Sequence, residues 1–390
     1  MTDIPDDVSR EILVRLPPKS VFKFRSVSKR WNEIIQDSSF LHSYARRRKG
    51  SLDQLLGFIL RADKYSYANP RPRSEPRIKV LPLQGKRIGY FPEKVGYFIS
   101  SSNGLVLCGH HHPMKYYVIN PLTKKWVSLP RPRNHYKEVS MGLVCEENTA
   151  QLVANYKVVR AGMPAMQRHN KMTIETYSST TRKWVESVLV ATDKFYVYPW
   201  PFIAPFVLNG VFHWVASPLL LVVYDPNDID RGNYLQLIEK PITEMTEQYT
   251  VYSRSSDGLL WCGILTGFSL KIWMLPKSDQ GYRRSCTVAK EEWVLVHGVT
   301  LDSLGNDYPI IKDALSSPET HCSKLRSLVF SPWNPLIVLF RIGEIVFLYN
   351  IQSMSMESLS YRGKPPTNYG GEYIWHPHFE TPFLSSYSLQ

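Results

Sequence analysis

ISSSNGLVLCGHHHPMKYYVINPLTKKWVS, residues 99–128, contains two β-hairpins in succession. Asn103-Gly104 is a two-residue turn signal flanked by apolar and β-branched residues, which is typical of a tight hairpin. A polar turn at 121–124 joins the next two runs. The stretch therefore predicts four short antiparallel strands that form one small sheet.

The same double hairpin recurs along the chain at intervals of roughly 45 to 75 residues. We expect loops near 279–291 and 300–323 to account for the longest intervals. The first hairpins are ISSSNGLVLC, GLVCEENTAQLVANY, FVLNGVFHWV, YSRSSDGLLWCGI and LVFSPWNPLIVLF. The second hairpins are YYVINPLTKKWVSLP, TIETYSSTTRKWVES, LVVYDPNDIDRGNYLQLIE, LKIWMLP with the later EEWVLV, and IVFLYNIQSMSMESL.

Five such units predict a large all-β domain at 95–361, and a β-propeller of about six blades is the favoured architecture. Residues 49–94 are a linker and a possible first blade, beginning with LLGFILR. The C-terminal tail, 362–390, can complete the propeller with a strand near 372–386, because closure by both chain ends removes exposed sheet edges. A stacked pair of β-sandwiches is the alternative.

Residues 1–48 predict a small all-α unit of three to four helices. Pro5 and two aspartates suit the start of the first helix, and Ser28 suits the cap of the third. A fourth helix is expected after Ser38 or Ser39. So small a unit supplies little core, so its apolar side chains indicate a partner protein; packing on the large domain is the alternative. The apolar residues of the first helix are Val8, Ile12, Leu13 and Leu16, and the third helix carries Trp31, Ile34 and Ile35.

The chain has 390 residues, 43% of them hydrophobic, and a formal net charge of +13. Its Lys and Arg residues are spread out, with concentrations at 46–49 and 69–77 and no nucleic-acid motif, so nucleic-acid binding is not favoured. The five cysteines form no C-x-x-C pair, which indicates reduced thiols and predicts a location in the cytoplasm, the nucleus or both. No signal peptide or membrane span is indicated.

No catalytic residue, metal site or cofactor is predicted. Cys108 and the three histidines that follow Gly109 offer metal-ligand types, but three adjacent side chains do not aim at one ion, and a solvated loop is expected. His213 is expected to alternate within a strand. The common hydrolase, phosphate-binding and H-E-x-x-H motifs are absent from the sequence.

The head resembles an F-box. Its matching elements are Ile4-Pro5-Asp6-Asp7, then EILVRLPPKS from Glu11, then RSVSKRWNEII from Arg25. Departures from the common pattern are Ile4 for Leu, Ser9 for an aliphatic residue and Ser28 for Cys; Ser9 is expected to weaken adaptor binding by removing an apolar contact.

The β-rich part resembles the F-box-associated, kelch-like β-propeller of plant F-box proteins. The phrases SSNGLVLC from Ser101 and YVINPLTKKW from Tyr117 carry that resemblance, which is weaker after residue 130, and the doubled glycines of true kelch repeats are missing.

Together the resemblances imply a non-catalytic substrate receptor of a Skp–cullin–F-box ubiquitin ligase. The head would dock on the Skp-type adaptor, and through it on the cullin and RING subunit, while the propeller binds the protein to be ubiquitinated. Carried over by position, the adaptor contacts are Ile4, Pro5, Ile12, Leu13, Leu16, Pro17, Val21 and Val27. Trp31 and Ile35 are expected to hold the helices together.

Target-binding candidates lie in two segments that are expected to join strands. The segment 131–138 is basic and suits an acidic or phosphorylated partner, and the aromatic run FYVYPWPF at 195–202 offers anchors or, alternatively, fills the seam between blades. The candidates are Arg131, Arg133, Tyr136, Tyr196, Tyr198 and Trp200. The alternatives are a basic propeller that binds RNA or another polyanion, with a purely structural head, and a propeller enzyme.

Overall fold

The computed structural model describes most of the chain from residue 4 to residue 379. The described ranges, with short gaps inside most of them, are 4–44, 55–62, 79–84, 92–146, 155–162, 169–197, 205–241, 249–276, 293–316, 325–360 and 373–379.

The described residues of the head form three helices, and helical backbone recurs at 39–40 and 43–44. Ser28 Oγ accepts a hydrogen bond from the Trp31 N–H (3.0 Å), which confirms the predicted cap of the third helix. Asp37 begins the segment that follows, because its carboxylate accepts from the N–H groups of Ser39 (2.9 Å) and Phe40 (3.1 Å). The helices are α1 Asp6–Arg15, α2 Pro18–Phe24 and α3 Lys29–Gln36.

The head has an apolar core of its own. Tyr44 is buried there, and its hydroxyl donates to the Leu16 carbonyl oxygen at 2.7 Å, which ties the fourth helical segment to the end of α1. Leu16, Phe24 and Trp31 pack around this core. Its buried members are Leu13, Val14, Val21, Ile34, Ile35, Phe40 and Tyr44.

The β domain is a propeller, as predicted. It has five four-stranded antiparallel blades, and its remaining strands are β1 Leu55–Ala62, β2 Lys79–Pro82 and β23 Tyr373–Phe379. Blade 1 comprises β3 Tyr97–Ser102, β4 Leu105–His110, β5 Lys115–Asn120 and β6 Lys125–Ser128; blade 2 comprises β7 Val139–Glu146, β8 Asn155–Gly162, β9 His169–Ser178 and β10 Lys183–Phe195; blade 3 comprises β11 Phe206–Leu208, β12 Val211–Ala216, β13 Leu220–Tyr224 and β14 Gln236–Glu239; blade 4 comprises β15 Tyr249–Arg254, β16 Leu260–Leu265, β17 Ser269–Leu275 and β18 Val294–Thr300; blade 5 comprises β19 Leu325–Phe330, β20 Ile337–Ile342, β21 Ile345–Asn350 and β22 Ser355–Leu359.

The predicted count of about six blades was wrong by one. The sixth sheet has three strands among the described residues, in the order β2-β1-β23. Segments near both ends of the β domain supply these strands. Strand β1 pairs antiparallel with β23 from Leu55↔Phe379 to Ala62↔Tyr373. Strand β23 contacts β19 and β1 contacts β3, so this sheet lies between blades 5 and 1.

The first strand of each blade contacts the first strand of the next, from β3 through β19. A ring of this kind contradicts the alternative of stacked β-sandwiches. The hydrophobic clusters lie between adjacent blades, where each sheet buries both faces. The contact between blades 2 and 3 requires glycine at 142, because a Cβ there would lie 2.8 Å from the Phe212 ring.

The strand order determines which loops share a face of the ring. Because neighbouring strands are antiparallel, the turn between the second and third strands of a blade lies at the same end as the connection to the next blade. We call this end the upper face. The turn between β4 and β5 and the segment between β6 and β7 therefore both belong to the upper face.

Two helices between β18 and β19 replace part of the loop predicted at 300–323. They are α4 Leu301–Asp307 and α5 Pro309–Ser316. Thr300 Oγ1 caps α4 by accepting from the Ser303 N–H at 3.1 Å. Leu304 and Ile311 are buried in the cluster between blades 4 and 5. Thr300 as a helix cap and Pro309 as a first helical residue are signals present in the sequence. They were not used because the surrounding repeat predicts β-strands.

Candidate functional sites: the helical head and the loop after blade 1

The structure divides the eight predicted adaptor contacts into two groups. Ile4, Ile12 and Val27 are exposed by 49%, 40% and 63% of their surface, and Pro5 is exposed. Leu13 and Val21 are fully buried in the head's core, with Leu16 packed beside them. Pro17 lies outside the described residues. The exposed group is thus available to a partner, whereas the buried group shapes the head itself.

One exposed residue was missing from the predicted contacts. Val8 is 47% exposed and lies one turn before Ile12, so these two side chains share one side of α1, and Ile4 is exposed just before the helix begins. We call these three residues the apolar stripe. Ser9, the departure expected to weaken adaptor binding, is 2% exposed and therefore lies inside the head. The exposed fraction of each side chain separates the stripe from the core, and the periodicity of the sequence does not predict that fraction.

Ion pairs hold the helices that carry the apolar stripe. Arg30 Nε donates to Asp6 Oδ1 at 2.7 Å and joins the starts of α3 and α1. Arg10 Nη1 donates to Asp37 Oδ1 at 3.2 Å and to Ser39 Oγ at 2.9 Å. Hydrogen bonds from Ser39 and Arg10 hold the pKa of Asp37 well below its usual range. Both pairs connect α1 with the ends of α3, outside the buried core that packs the two helices together.

In the propeller, the segment 129–136 after blade 1 is fixed by side chains of blade 2. Glu175 Oε1 accepts hydrogen bonds from the backbone N–H groups of Arg133 (3.0 Å) and Asn134 (3.1 Å). Trp184 Nε1 donates to the Pro130 carbonyl oxygen at 2.8 Å. The backbone at Pro130, Arg133 and Asn134 is therefore held against strands β9 and β10.

A buried ion pair lies beneath this segment. Arg160 Nη1 bonds Glu175 Oε2, and both side chains are almost completely buried. The same Nη1 donates to the Asn134 carbonyl oxygen at 2.8 Å, and Nη2 approaches Met114 Sδ at 3.4 Å. One guanidinium thus contacts both upper-face segments around blade 1. The sequence did not predict this ion pair, because no sequence pattern indicates that Arg160 and Glu175 are buried together.

The predicted target-binding residue Tyr136 faces this pair. Its ring lies 4.8 Å from the Arg160 guanidinium carbon and covers Gly162, where a Cβ would lie 2.6 Å from the ring. Burial, with Glu175 nearby, raises the pKa of the Tyr136 hydroxyl. Asn134 Nδ2 donates to that hydroxyl at 3.1 Å. Tyr136 therefore supports the segment from below, and its ring is not presented outward.

The two predicted arginines point away from the support. Arg131, Arg133 and His135 are exposed, whereas Pro132 between them is buried. Neither arginine side chain has a hydrogen-bond or ion-pair partner among the described residues. We call residues 131–135 the basic loop.

The remaining histidine and cysteine candidates have structural surroundings. His110 bonds the Lys94 carbonyl oxygen at 2.8 Å, and the other two histidines of the run lie outside the described residues. His213 is buried and stacks on Phe206 at 4.8 Å, and burial lowers its pKa to about 4. Burial also raises the pKa of the Cys145 thiol to about 12. The described part of the chain contains no cluster of three metal-ligating side chains.

The aromatic candidates Tyr196, Tyr198 and Trp200 lie outside the described residues, so their predicted role stays a prediction. Phe195 and Val197 beside them are buried between blades 2 and 3. None of the described helices is both long and apolar enough to cross a membrane.

Comparison with known proteins matches both parts of the chain. A model described as "F-box domain" matches residues 1–43, and one described as "F-box protein At3g26010-like, beta-propeller" matches residues 88–317. The chain belongs to this F-box β-propeller family. The F-box protein At5g03970 of Arabidopsis thaliana is 31% identical over 93% of this chain and 84% of its own length. The putative F-box protein At3g23970 of the same plant is 27% identical over 81% of this chain and 80% of its own length.

The comparisons support a plant F-box protein with an associated propeller and leave its kelch-like character a prediction. The alignment with a solved structure titled "Structure of Dos1 propeller" covers 75% of this chain and 67% of the solved chain. The sequence identity is 12% and the TM-score is 0.34. The apolar stripe belongs to the F-box and the basic loop to the family's propeller.

Proposed function

We propose that this protein is a substrate receptor of a Skp–cullin–F-box ubiquitin ligase. The F-box would bind the Skp-type adaptor, and through it the cullin and RING subunit, while the propeller presents a target protein. The receptor raises the effective concentration of a target lysine near the ubiquitin-charged enzyme and contributes no catalytic side chain.

One observation carries the proposal: the F-box exposes an apolar stripe although it already buries a core of its own. Ile4, Val8 and Ile12 each leave 40% or more of their surface in water, with Val8 and Ile12 on one side of α1 and Ile4 just before it. An exposed apolar row gains free energy when a partner covers it, at about 25 cal/mol for each Å² removed from water. The F-box match over residues 1–43 supports a Skp-type adaptor as the occupant. Val27, 63% exposed, is the second apolar contact that we propose.

The experiment measures binding of the full-length protein to a purified plant Skp-type adaptor by calorimetry. Ile12→Asp places a charge in the proposed interface, so we expect affinity to fall at least about a hundredfold. Val185→Asp is the matched control, because Val185 is 60% exposed on β10 of the propeller and undergoes the same chemical change. Equal affinity of the two variants would contradict docking through the stripe.

A second step tests the receptor role. Adaptor, cullin, RING subunit and receptor are reconstituted, and proteins captured by the receptor from plant extract are offered as substrates. We expect ubiquitin transfer that requires the propeller and is lost with Ile12→Asp. Transfer that is unchanged by this variant would contradict the proposal. We also propose a location in the cytoplasm or nucleus, since the buried residues Cys108 and Cys145 form no disulfide.

A further inference from the structure

The basic loop combines exposed cations with a backbone that is already ordered. We propose that it recognises an acidic segment of the target protein, with the Arg131 and Arg133 guanidinium groups binding Asp or Glu carboxylates. The inference rests on the proposed function, because it names the chemistry by which the propeller would recognise its target. A guanidinium fits a carboxylate through two parallel N–H bonds, which gives direction as well as charge.

The support beneath the loop gives the first reason. Glu175 accepts two successive backbone N–H groups, Arg160 donates to the Asn134 carbonyl oxygen, and Trp184 donates to that of Pro130. A loop held at four points loses little conformational entropy on binding, so more of the interaction energy appears as affinity.

The surroundings of the loop give the second reason. The Arg160 contact with Met114 brings the turn between β4 and β5 near the basic loop, and Lys115 beside Met114 is exposed. Exposed cationic side chains therefore lie on two neighbouring segments: Lys115 on one, and Arg131 and Arg133 on the other. Two acidic groups bond the loop: Glu175 is buried and paired with Arg160, and Glu186 accepts from Asn134 Nδ2.

The aromatic residues of this region favour a peptide over single-stranded nucleic acid. Nucleic-acid grooves combine cations with exposed rings on which bases stack. Here the Tyr136 ring lies against Arg160 and the Trp184 ring is 8% exposed, so both face inward. Among the described residues of the basic loop, His135 is the one exposed ring, whereas stacking of successive bases needs a row of rings.

The test measures binding of a fluorescein-labelled ten-residue polyglutamate peptide to the full-length protein by fluorescence anisotropy. We expect Arg131→Ala/Arg133→Ala to weaken binding by about tenfold or more. The control is Lys271→Ala/Lys312→Ala, which removes the same two charges from exposed positions on β17 and α5. We expect the control to change affinity by less than about twofold, because exposed charges at a distance are screened.

Two further variants separate geometry from net charge. Arg131→Lys/Arg133→Lys keeps both charges and is expected to weaken binding, because lysine offers no planar fork. Gly162→Ala keeps both arginines but pushes on the Tyr136 ring, and we expect it to weaken peptide binding by displacing the loop. Retained binding in both variants would overturn the proposed recognition geometry.

The outcomes also distinguish the two proposals. Equal losses for the arginine and lysine pairs would overturn the inference in favour of non-specific attraction. A single-stranded RNA that binds tighter than the peptide, and depends more on the arginines, would overturn it in favour of a polyanion site. Adaptor affinity is measured on the same samples: if it is normal while the peptide test fails, only the present inference falls.

Discussion

Arg160 and Glu175 face each other across strands β8 and β9 and form an ion pair that is almost completely buried between blades 1 and 2. The second oxygen of Glu175 binds the backbone of the basic loop. Two charges buried together are costly to desolvate, and here the cost is offset by hydrogen bonds to a segment that has no strand partner. The pair therefore connects the packing of two blades with the shape of an exposed loop.

Removing one charge of this pair is expected to be strongly destabilising. Arg160→Met leaves Glu175 buried without its partner, and we expect the free energy of unfolding to fall by about 3–5 kcal/mol. Urea unfolding followed by fluorescence measures the change. The exposed pair Arg15–Glu11 is the control, and Arg15→Ala should cost less than about 1 kcal/mol. A loss below about 1 kcal/mol for Arg160→Met would show that the pair does not anchor this interface.

Neighbouring residues of α1 are expected to separate binding from folding. Leu13 is fully buried, so Leu13→Ala should destabilise the F-box by about 2–5 kcal/mol, whereas Ile12→Ala should leave its stability nearly unchanged. Hydrogen exchange of the α1 and α3 amides in the full-length protein measures this difference. Similar protection in both variants would mean that the assignment of core and surface is wrong. A Leu13→Asp variant would test folding rather than docking.

The helices between blades 4 and 5 offer a second adjacent pair. Ile311 is fully buried, and Ile311→Ala is expected to cost about 2–4 kcal/mol through lost apolar contact and a remaining cavity. Ile310 is 42% exposed, so Ile310→Ala should change stability by less than about 0.5 kcal/mol. Thermal unfolding of both variants is the measurement. If the two variants melt together, α5 does not contribute to the seam between the blades.

Burial of His213 predicts a dependence of stability on pH. Its pKa is about 4 in the folded protein because burial disfavours the imidazolium, whereas an unfolded chain has a pKa of about 6.5. The stabilising contribution is complete above pH 6.5 and is lost as the pH falls toward 4, by up to about 3 kcal/mol.

Urea unfolding between pH 4.5 and 7.5 tests this effect. We expect His213→Leu to flatten the dependence, and the exposed His135→Gln to leave it as in the wild type. A wild-type slope in the His213 variant would assign the pH dependence to other groups.

The propeller was predictable from its repeated hairpins because strand alternation and turn signals such as Asn103-Gly104 act locally. The blade count was not predictable in the same way. The sheet of β1, β2 and β23 depends on pairing between residues more than 300 positions apart, such as Ala62 and Tyr373. Edge closure predicted a strand near 372–386, but no local pattern specifies its register or the number of strands in the sheet. The helix α4 was missed although Thr300 signals its start.

The candidate sites divide along the same line. The F-box pattern is contiguous, so the sequence alone determined the helical head, the Ser28 cap and the residues proposed as adaptor contacts. Only the tertiary structure decided that Ile4, Val8 and Ile12 remain exposed. It likewise decided that Tyr136 turns inward while Arg131 and Arg133 remain in water. The physical reason is that exposure is set by what the rest of the chain brings against a side chain: helix packing buries Leu13, and the distant Arg160–Glu175 pair fixes the basic loop.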